Sequence, residues 1–411
     1  MRLRAIFQFA LSSMAVFSAC AKEGEWSRSW DGAIYAYPTV TNLRNGSILN
    51  PDNLIARLPQ HSQTAEARFN FKAENDSLRL TLRPIMLWQQ SSNAFGEQIQ
   101  SETYLNQGQL RWRMAEAWSV AAGREVMNWG PGQFRSPSSP FYFDNGRSNP
   151  VRELSGLDAV KMSWTPDTRH SLSLGYIGSS GHYEGPTDTW RDTWIFRATK
   201  REAKWAGGVA VAKKQGQKSF VGTDVQYTLN DSALLYGEAG SSTRLNALQS
   251  SADATQPFTV EAESARHHNE LIGATYTLDN GQSISVECLH QGHGFTSGEE
   301  AAYFERAANA TLPAGAAQLG MALADAPPLL GQDYVHLVWQ NNILESDGYW
   351  RLMLTHNNTD GGNQITGYGE FTLSKRVSGI VLGVLPLGNE RQEFSSLIGS
   401  IATAGIKVAL P

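Results

Sequence analysis

The chain has 411 residues, of which 18% are charged, with 38 Gly, 12 Trp, 13 Tyr and a formal charge of −5. That composition is poorer in charge and richer in aromatics than a water-soluble α/β enzyme usually is. So mild a charge, with no basic run of five or more residues, excludes a nucleic-acid partner.

The N-terminus reads as an export signal. Arg2 and Arg4 precede an apolar stretch from Ala5 to Cys20, and Ala19-Cys20-Ala21 fits the small-x-small rule for cleavage before Lys22. Lipidation at Cys20 competes with this reading, although Phe17 stands where lipoprotein signals prefer Leu. The domain plan is therefore a signal over 1–21, a short leader over 22–30 and one body over 31–411. Cys20 and Cys288 are the only cysteines, so no disulfide framework is expected. No later stretch approaches 18 consecutive apolar residues, which excludes helical membrane spans. An exported chain without such a helix can still cross a membrane as a closed barrel.

Period-two alternation follows along almost the whole chain. Ala65, Ala67, Phe69 and Phe71 alternate with Glu66, Arg68, Asn70 and Lys72. After the turn Glu74-Asn75-Asp76, Leu78, Leu80, Leu82, Met86 and Trp88 share one face, and Arg79, Thr81 and Arg83 the other. In the next segment Leu110, Trp112 and Met114 face away from Arg111 and Arg113. Strands are expected near 31–40, 64–73, 77–88, 104–114, 118–129, 153–165, 170–178, 190–199, 203–212, 219–229, 233–240, 268–278, 282–293, 332–341, 348–357, 367–375, 378–385 and 398–410. Every second connection is short, while 130–152, 241–267 and 294–331 are long. Short turns at one end and long loops at the other describe an all-β antiparallel transmembrane barrel of about 18 strands, 16 being the alternative count. Outer-membrane lipid is then a partner and the cell outer membrane the location. The last strand closes on Leu410-Pro411 rather than on the aromatic residue common in such barrels.

If the apolar face meets lipid, the other face lines a lumen. In the early strands that lumen is basic, through Arg68, Lys72, Arg79, Arg83, Arg111 and Arg113, with Glu66 the one acid among them. Charges in a narrow passage attract counter-ions strongly, so such a wall favours anionic solutes. Arg adds bidentate recognition of carboxylate, sulfate or phosphate. The competing reading pairs these arginines with Asp158, Asp224, Glu238, Glu287 and Glu370 as structural ion pairs. Arg124 has an ambiguous parity, because Gly123 can carry a bulge.

Gly123 to Gly132 reads as a strand ending in a Gly-Pro-Gly turn, with Trp129 at the level of an aromatic girdle. A Pro/Ser-rich loop follows. It is either a stiffened cover for the mouth, or a surface where Trp129, Phe141, Tyr142 and Phe143 stack on sugar rings beside Arg135 and Arg147. Gly-Arg-x-x-x-x-Trp-Gly-Pro-Gly-x-Phe-x-Ser, from Gly123 to Ser136, resembles a segment of capsule-assembly outer-membrane proteins of the Wzi type. The basic 18-strand plan is similar to that of alginate-export porins. The resemblance implies a barrel that handles acidic polysaccharide, with Arg124, Trp129 and Arg135 as the residues carried over. It implies either export of polymer, with periplasmic export partners, or its retention at the surface. The helical bundle that precedes the barrel in the capsule-assembly family is not evident here.

Enzymatic signals are weak. His290 and His293 in Cys288-Leu289-His290-Gln291-Gly292-His293 fall on opposite faces of a strand, which argues against a metal site. No phosphate loop, cysteine-rich metal spacing or dinucleotide fingerprint occurs, so neither enzyme activity nor cofactor is expected.

Overall fold

The computed structural model describes residues 26–147, 149–182, 190–342 and 348–410. The signal segment 1–21 and the first residues of the leader lie outside these. β1 (Ser27–Leu43) begins inside the stretch assigned to the leader. It is followed by β2 (His61–Glu74), β3 (Leu78–Asn93), β4 (Gly96–Ala115), β5 (Trp118–Glu125), β6 (Leu157–Trp164), β7 (His170–Ser179), β8 (Thr193–Arg201), β9 (Trp205–Lys214), β10 (Phe220–Thr228) and β11 (Ala233–Ser242). A small hairpin, β12 (Leu245–Leu248) and β13 (Val260–Glu263), interrupts the series. The barrel resumes with β14 (His267–Thr277), β15 (Ser283–Gln291), β16 (Asp333–Gln340), β17 (Gly348–Asn357), β18 (Asn363–Thr372), β19 (Val377–Leu387) and β20 (Ile398–Leu410).

Each barrel strand pairs antiparallel with its chain neighbours, and β1 pairs with β20 through registers such as Ala36 opposite Ile406. The 18-stranded sheet is therefore closed. Closure leaves no unpaired strand edge, which is the condition for spanning lipid. All 18 expected strands are present, and the 16-strand count is not. The β3–β4 hairpin runs on to a tip at Asn93 and Gly96, so that surface connection is shorter than the sequence suggested.

The alternation works as expected. Ile34, Met86, Val160, Leu174, Ile272 and Leu385 stand exposed on the outside. Trp112, Trp118, Trp164, Trp205 and Trp339 sit near the short-turn ends of β4, β5, β6, β9 and β16, forming one girdle. The inside carries buried polar groups, among them Glu66, Asp224, Glu238, Glu287, His336 and Arg351.

The long loops at the other end are not simple polar excursions. The connection from β15 to β16 contains α1 (Ser297–Asn309) and α2 (Ala316–Asp325). Thr296 caps α1 in a reciprocal capping box with Glu299. Tyr303, Phe304, Ala307, Leu319 and Ala322 pack with Leu49, Leu248, Phe258, Phe295 and Leu330. Three surface connections thus share one apolar core and form a folded cap.

Candidate functional site: a loop across the lumen

The connection 126–156, between β5 and β6, folds into the barrel rather than out of it. Its apolar residues meet several sectors of the inner wall. Met127, Phe141 and Tyr142 pack on Leu157, Ile177, Ile195, Ala210 and Ala212 of β6 to β9. Phe134 joins Tyr236, Leu271, Leu289 and Tyr334 of β11 to β16. Val151 reaches Tyr368 and Leu382 of β18 and β19. A segment that touches walls on several sides crosses the lumen.

Polar anchors fix its position. Glu238 on β11 accepts hydrogen bonds from Gly132 N (2.7 Å), Ser136 Oγ (2.7 Å), Ser138 Oγ (2.7 Å) and Ser138 N (3.2 Å). Glu287 on β15 accepts from Gln133 N (2.6 Å), Phe134 N (2.8 Å) and the Tyr236 hydroxyl (2.7 Å). Buried carboxylates are tolerated because charge-assisted donors replace their water. This arrangement explains the Gly-Pro-Gly turn physically. Gly130 has φ +91°, and a Cβ there would lie 2.5 Å from the Glu238 carboxylate. The donating backbone can approach the acid only without side chains in the way. Arg147 and Asn145 donate to carbonyls of the same turn, which accept what the acids leave free.

Trp129 lies within this assembly and not at the girdle, contrary to expectation. Its Nε1 donates to Ser138 O at 2.8 Å, its ring meets Phe141 edge-on, and the Arg197 guanidinium lies 4.7 Å from its centroid. The tryptophan is a strut of the loop. Phe141 and Tyr142 are likewise buried, which leaves no open stacking surface at these residues.

The expected basic wall divides into two groups. Arg68 pairs with Glu66 at 2.7 Å and approaches Glu153 at 3.6 Å, and Arg83 pairs with Glu153 at 3.0 Å. Glu153 belongs to the crossing loop, and Arg68 also donates to Val151 O at 2.6 Å. These two arginines therefore hold the loop to β2 and β3. Arg124 stands on the opposite face of β5 from Glu125, which meets Lys161 of the inner wall, and forms a two-point pair with Asp158. It is not a lumen residue. Arg79 pairs with Glu74 at the short-turn rim. Lys72, Arg111 and Arg113 are on the lumen parity near that rim, exposed, and without an ion pair among the described residues. The remaining lumen acids are occupied otherwise: Asp224 by Arg197 and Glu370 by Lys407.

Sequence patterning missed His336 and Arg351 on the far wall, beside Arg135, which the resemblance had singled out. Arg135, in the crossing loop, has no carboxylate partner among the described residues, and its guanidinium lies 4.3 Å from the Phe134 ring. His336 of β16 stacks on the same ring at 4.7 Å and bonds Thr355 through Nδ1, while its Nε2 is buried without a partner. Arg351 of β17 is 6% exposed, contacts Gln133 Oε1 at 3.3 Å, and its Nε is unpartnered. A cavity of about 180 Å³ opens here between Arg135, Asn149, His336, Thr355, Gln364 and Thr366. Arg351 could have been found only from strand parity, because no second basic residue marks its strand.

The histidines do not form a metal centre. His290 bonds Asp333 on the outer side at 2.8 Å, and His293 lies against His267 and Ser242. Burial holds His293 down to about 3, so it is neutral at physiological pH. Among the described residues no group of three or more ligating side chains could hold a metal.

No protein-family model and no curated protein matches the chain. Solved structures do. Pseudomonas aeruginosa OccK11 (OpdR) is similar with a TM-score of 0.55 at 10% identity, covering 93% of this chain and 96% of that one. Pseudomonas aeruginosa OprD is similar with a TM-score of 0.52 at 9% identity, over 93% and 94% of the two chains. A triple mutant of Rhodopseudomonas blastica porin gives a TM-score of 0.46 at 10% identity, over 93% and 100%. At such identities the likeness is one of fold, and that fold is the closed antiparallel barrel of the first two.

Proposed function

We propose that the chain is an outer-membrane porin for small anionic solutes, with the crossing loop as its constriction. One observation carries this reading. Arg68, Arg83, Arg197 and Lys407 are paired with acids, whereas Arg135 and Arg351, where the loop approaches the wall, have no carboxylate partner among the described residues. The free cations Lys72, Arg111 and Arg113 at the short-turn mouth support the same preference. Buried guanidinium groups beside unpaired donors favour an anion strongly, because little water screens them. A loop fastened at so many points favours compact solutes over a polymer chain. Planar-bilayer recording tests the proposal. The expected reversal potential shows anion preference, and Arg351→Gln with Arg135→Gln should move it towards cations. A cation-selective wild type would overturn the reading.

The alternative, retention of acidic polysaccharide at the surface as the capsule-assembly resemblance implies, has the folded cap in its favour. It requires polymer binding to cells without conductance in the bilayer.

A further inference from the structure

Three surface connections each bring one acid to the same place beneath the folded cap. Glu300 comes from α1, Asp360 from the connection between β17 and β18, and Glu393 from the connection between β19 and β20. Two of the three are held by donors. Asp360 accepts from Gly362 N and from Glu393 N, each at 2.6 Å. Glu393 accepts from the Tyr334 hydroxyl and from Asn357 Nδ2 at 3.0 Å. Glu300 has no such help. It is 2% exposed, both of its carboxylate oxygens lack a donor, and it faces Glu393 and Asp360, close enough to the latter to share one proton.

None of the three acids has an ion pair among the described residues. Two arginines of the same connections are spent elsewhere, Arg391 on Glu305 and Arg306 on the carbonyls of Ala302 and Ser251. A buried carboxylate without a donor is costly, and like charges beside it raise the cost. Burial and the two neighbouring acids accordingly push the Glu300 carboxyl upward. A proton shared with Asp360 removes one of three negative charges, whereas a divalent cation offsets two.

We infer that Glu300 and Asp360 ligate a hard divalent cation of the Ca²⁺ class, which ties α1 to the β17–β18 connection and locks the cap. Two ligating side chains fall short of a zinc or iron centre, but Ca²⁺ completes a shell of roughly six to eight oxygens with carbonyls and water. Glu393 stays on Tyr334 and Asn357 and contributes charge alone. Extracellular sites with so few charged ligands bind Ca²⁺ at about 0.1–1 mM. The site does not depend on what the lumen conducts.

The full chain, refolded in detergent without lipopolysaccharide and held at neutral pH, tests the assignment. Between chelator and about 10 mM Ca²⁺, cleavage within 296–330 should slow about tenfold, as a dissociation constant of about 1 mM requires. Tb³⁺, which takes Ca²⁺ sites, should luminesce on excitation of the nearby Tyr303 and Tyr334, and Ca²⁺ should displace it. Glu300→Gln removes charge and no volume, so the barrel should fold, and heat-modifiable migration in gels checks that it does. That variant should lose both the Tb³⁺ signal and the response to Ca²⁺, as should Asp360→Asn. Glu305→Gln, on the exposed side of α1, should keep both. Three results would overturn the inference. A wild type with no Ca²⁺ protection or no Tb³⁺ signal leaves the shared proton alone in the cluster. Protection unchanged in Glu300→Gln places the ion elsewhere, and so does equal Tb³⁺ binding by the two proteins.

Discussion

Replacing Glu238 by Gln should free the crossing loop. In the wild type one carboxylate oxygen accepts from Ser136 Oγ, Ser138 Oγ and Ser138 N, and the other from Gly132 N. Glutamine offers one acceptor oxygen and one amide. Its less costly rotamer keeps the oxygen on the serine side and points the amide at Gly132 N, which leaves two donors facing each other. That orphaned N–H costs about 1–3 kcal/mol, and three bonds fall from charge-assisted to neutral strength at about 1 kcal/mol each. Removal of a buried charge offsets part of the loss. We therefore expect the loop to lose about 2–4 kcal/mol of anchorage, which raises the population of its detached state about 30- to 1,000-fold. Two assays read this. Single-channel records should become noisier, with conductance steps above the wild-type level, and protease should cut within 131–140 in detergent. The barrel's own melting temperature should move little, because its strand pairing is untouched. Wild-type noise together with wild-type protease resistance would refute the clamp.

The cap should respond to pH. Glu300 on α1 is buried near Asp360 and Glu393, and desolvation and these acids push it up from its ordinary 4.5 to about 10. Burial likewise raises Glu393 to about 7. An acid whose folded value is raised stabilises the fold below its unfolded value and loses that contribution as pH rises. Protease resistance of 296–330 should therefore be higher at pH 5 than at pH 8, and Glu300→Gln should flatten the profile. Arg83→Gln should weaken loop anchorage by about 0.5–1 kcal/mol through its partly exposed ion pair, less than Glu238→Gln because Arg68 still approaches Glu153; the same proteolysis measures it. Arg111→Gln with Arg113→Gln should leave the melting temperature unchanged and reduce anion preference, an effect that shrinks at high salt because these charges are exposed. An epitope inserted at 251–256 should be tolerated and reached by antibody on intact cells, whereas one at 303–304 should destroy the cap core.

Parity carried the fold. Leu80 and Leu82 against Arg79 and Arg83, or Ala65 and Ala67 against Glu66 and Arg68, are patterns that only a two-faced strand produces. Each of the 18 segments was visible because a lipid face must stay apolar and a lumen face need not. Loop structure was less visible. The helices Ser297–Asn309 and Ala316–Asp325 carry apolar residues at helical spacing, yet a long connection between two strands reads as polar filler until its partners Leu49 and Phe258 are known. The lumen cations were legible as a set and not by role. Arg68 and Arg83 look alike to Arg111 and Arg113 in sequence, and only the position of Glu153, some seventy residues away in the chain, separates anchors from free charges. Trp129 misled for a related reason. A tryptophan at a strand end usually marks an interface, and here the chain turns inward immediately after it.

The Gly-Pro-Gly segment then makes sense as a receptor turned inside out. Backbone N–H groups gathered in a turn commonly hold a ligand's anion, and here the anions are Glu238 and Glu287 of the barrel wall. The motif spends its donors on position. On the porin proposal, selectivity falls to groups without a carboxylate partner among the described residues, Arg135 among them. This separation gives a physical test of which resemblance matters. If the motif itself recognised acidic polymer, its donors would have to leave Glu238, and Glu238→Gln should strengthen polymer binding by releasing them. If the motif is an anchor, the same substitution disorders the loop, carries Arg135 away from Arg351 and weakens anion selectivity. Reversal potential and polymer binding measured on that one variant therefore move in opposite directions under the two accounts. A gain in polymer binding would replace the porin reading with surface retention, and a loss of selectivity without such a gain would uphold the anchor.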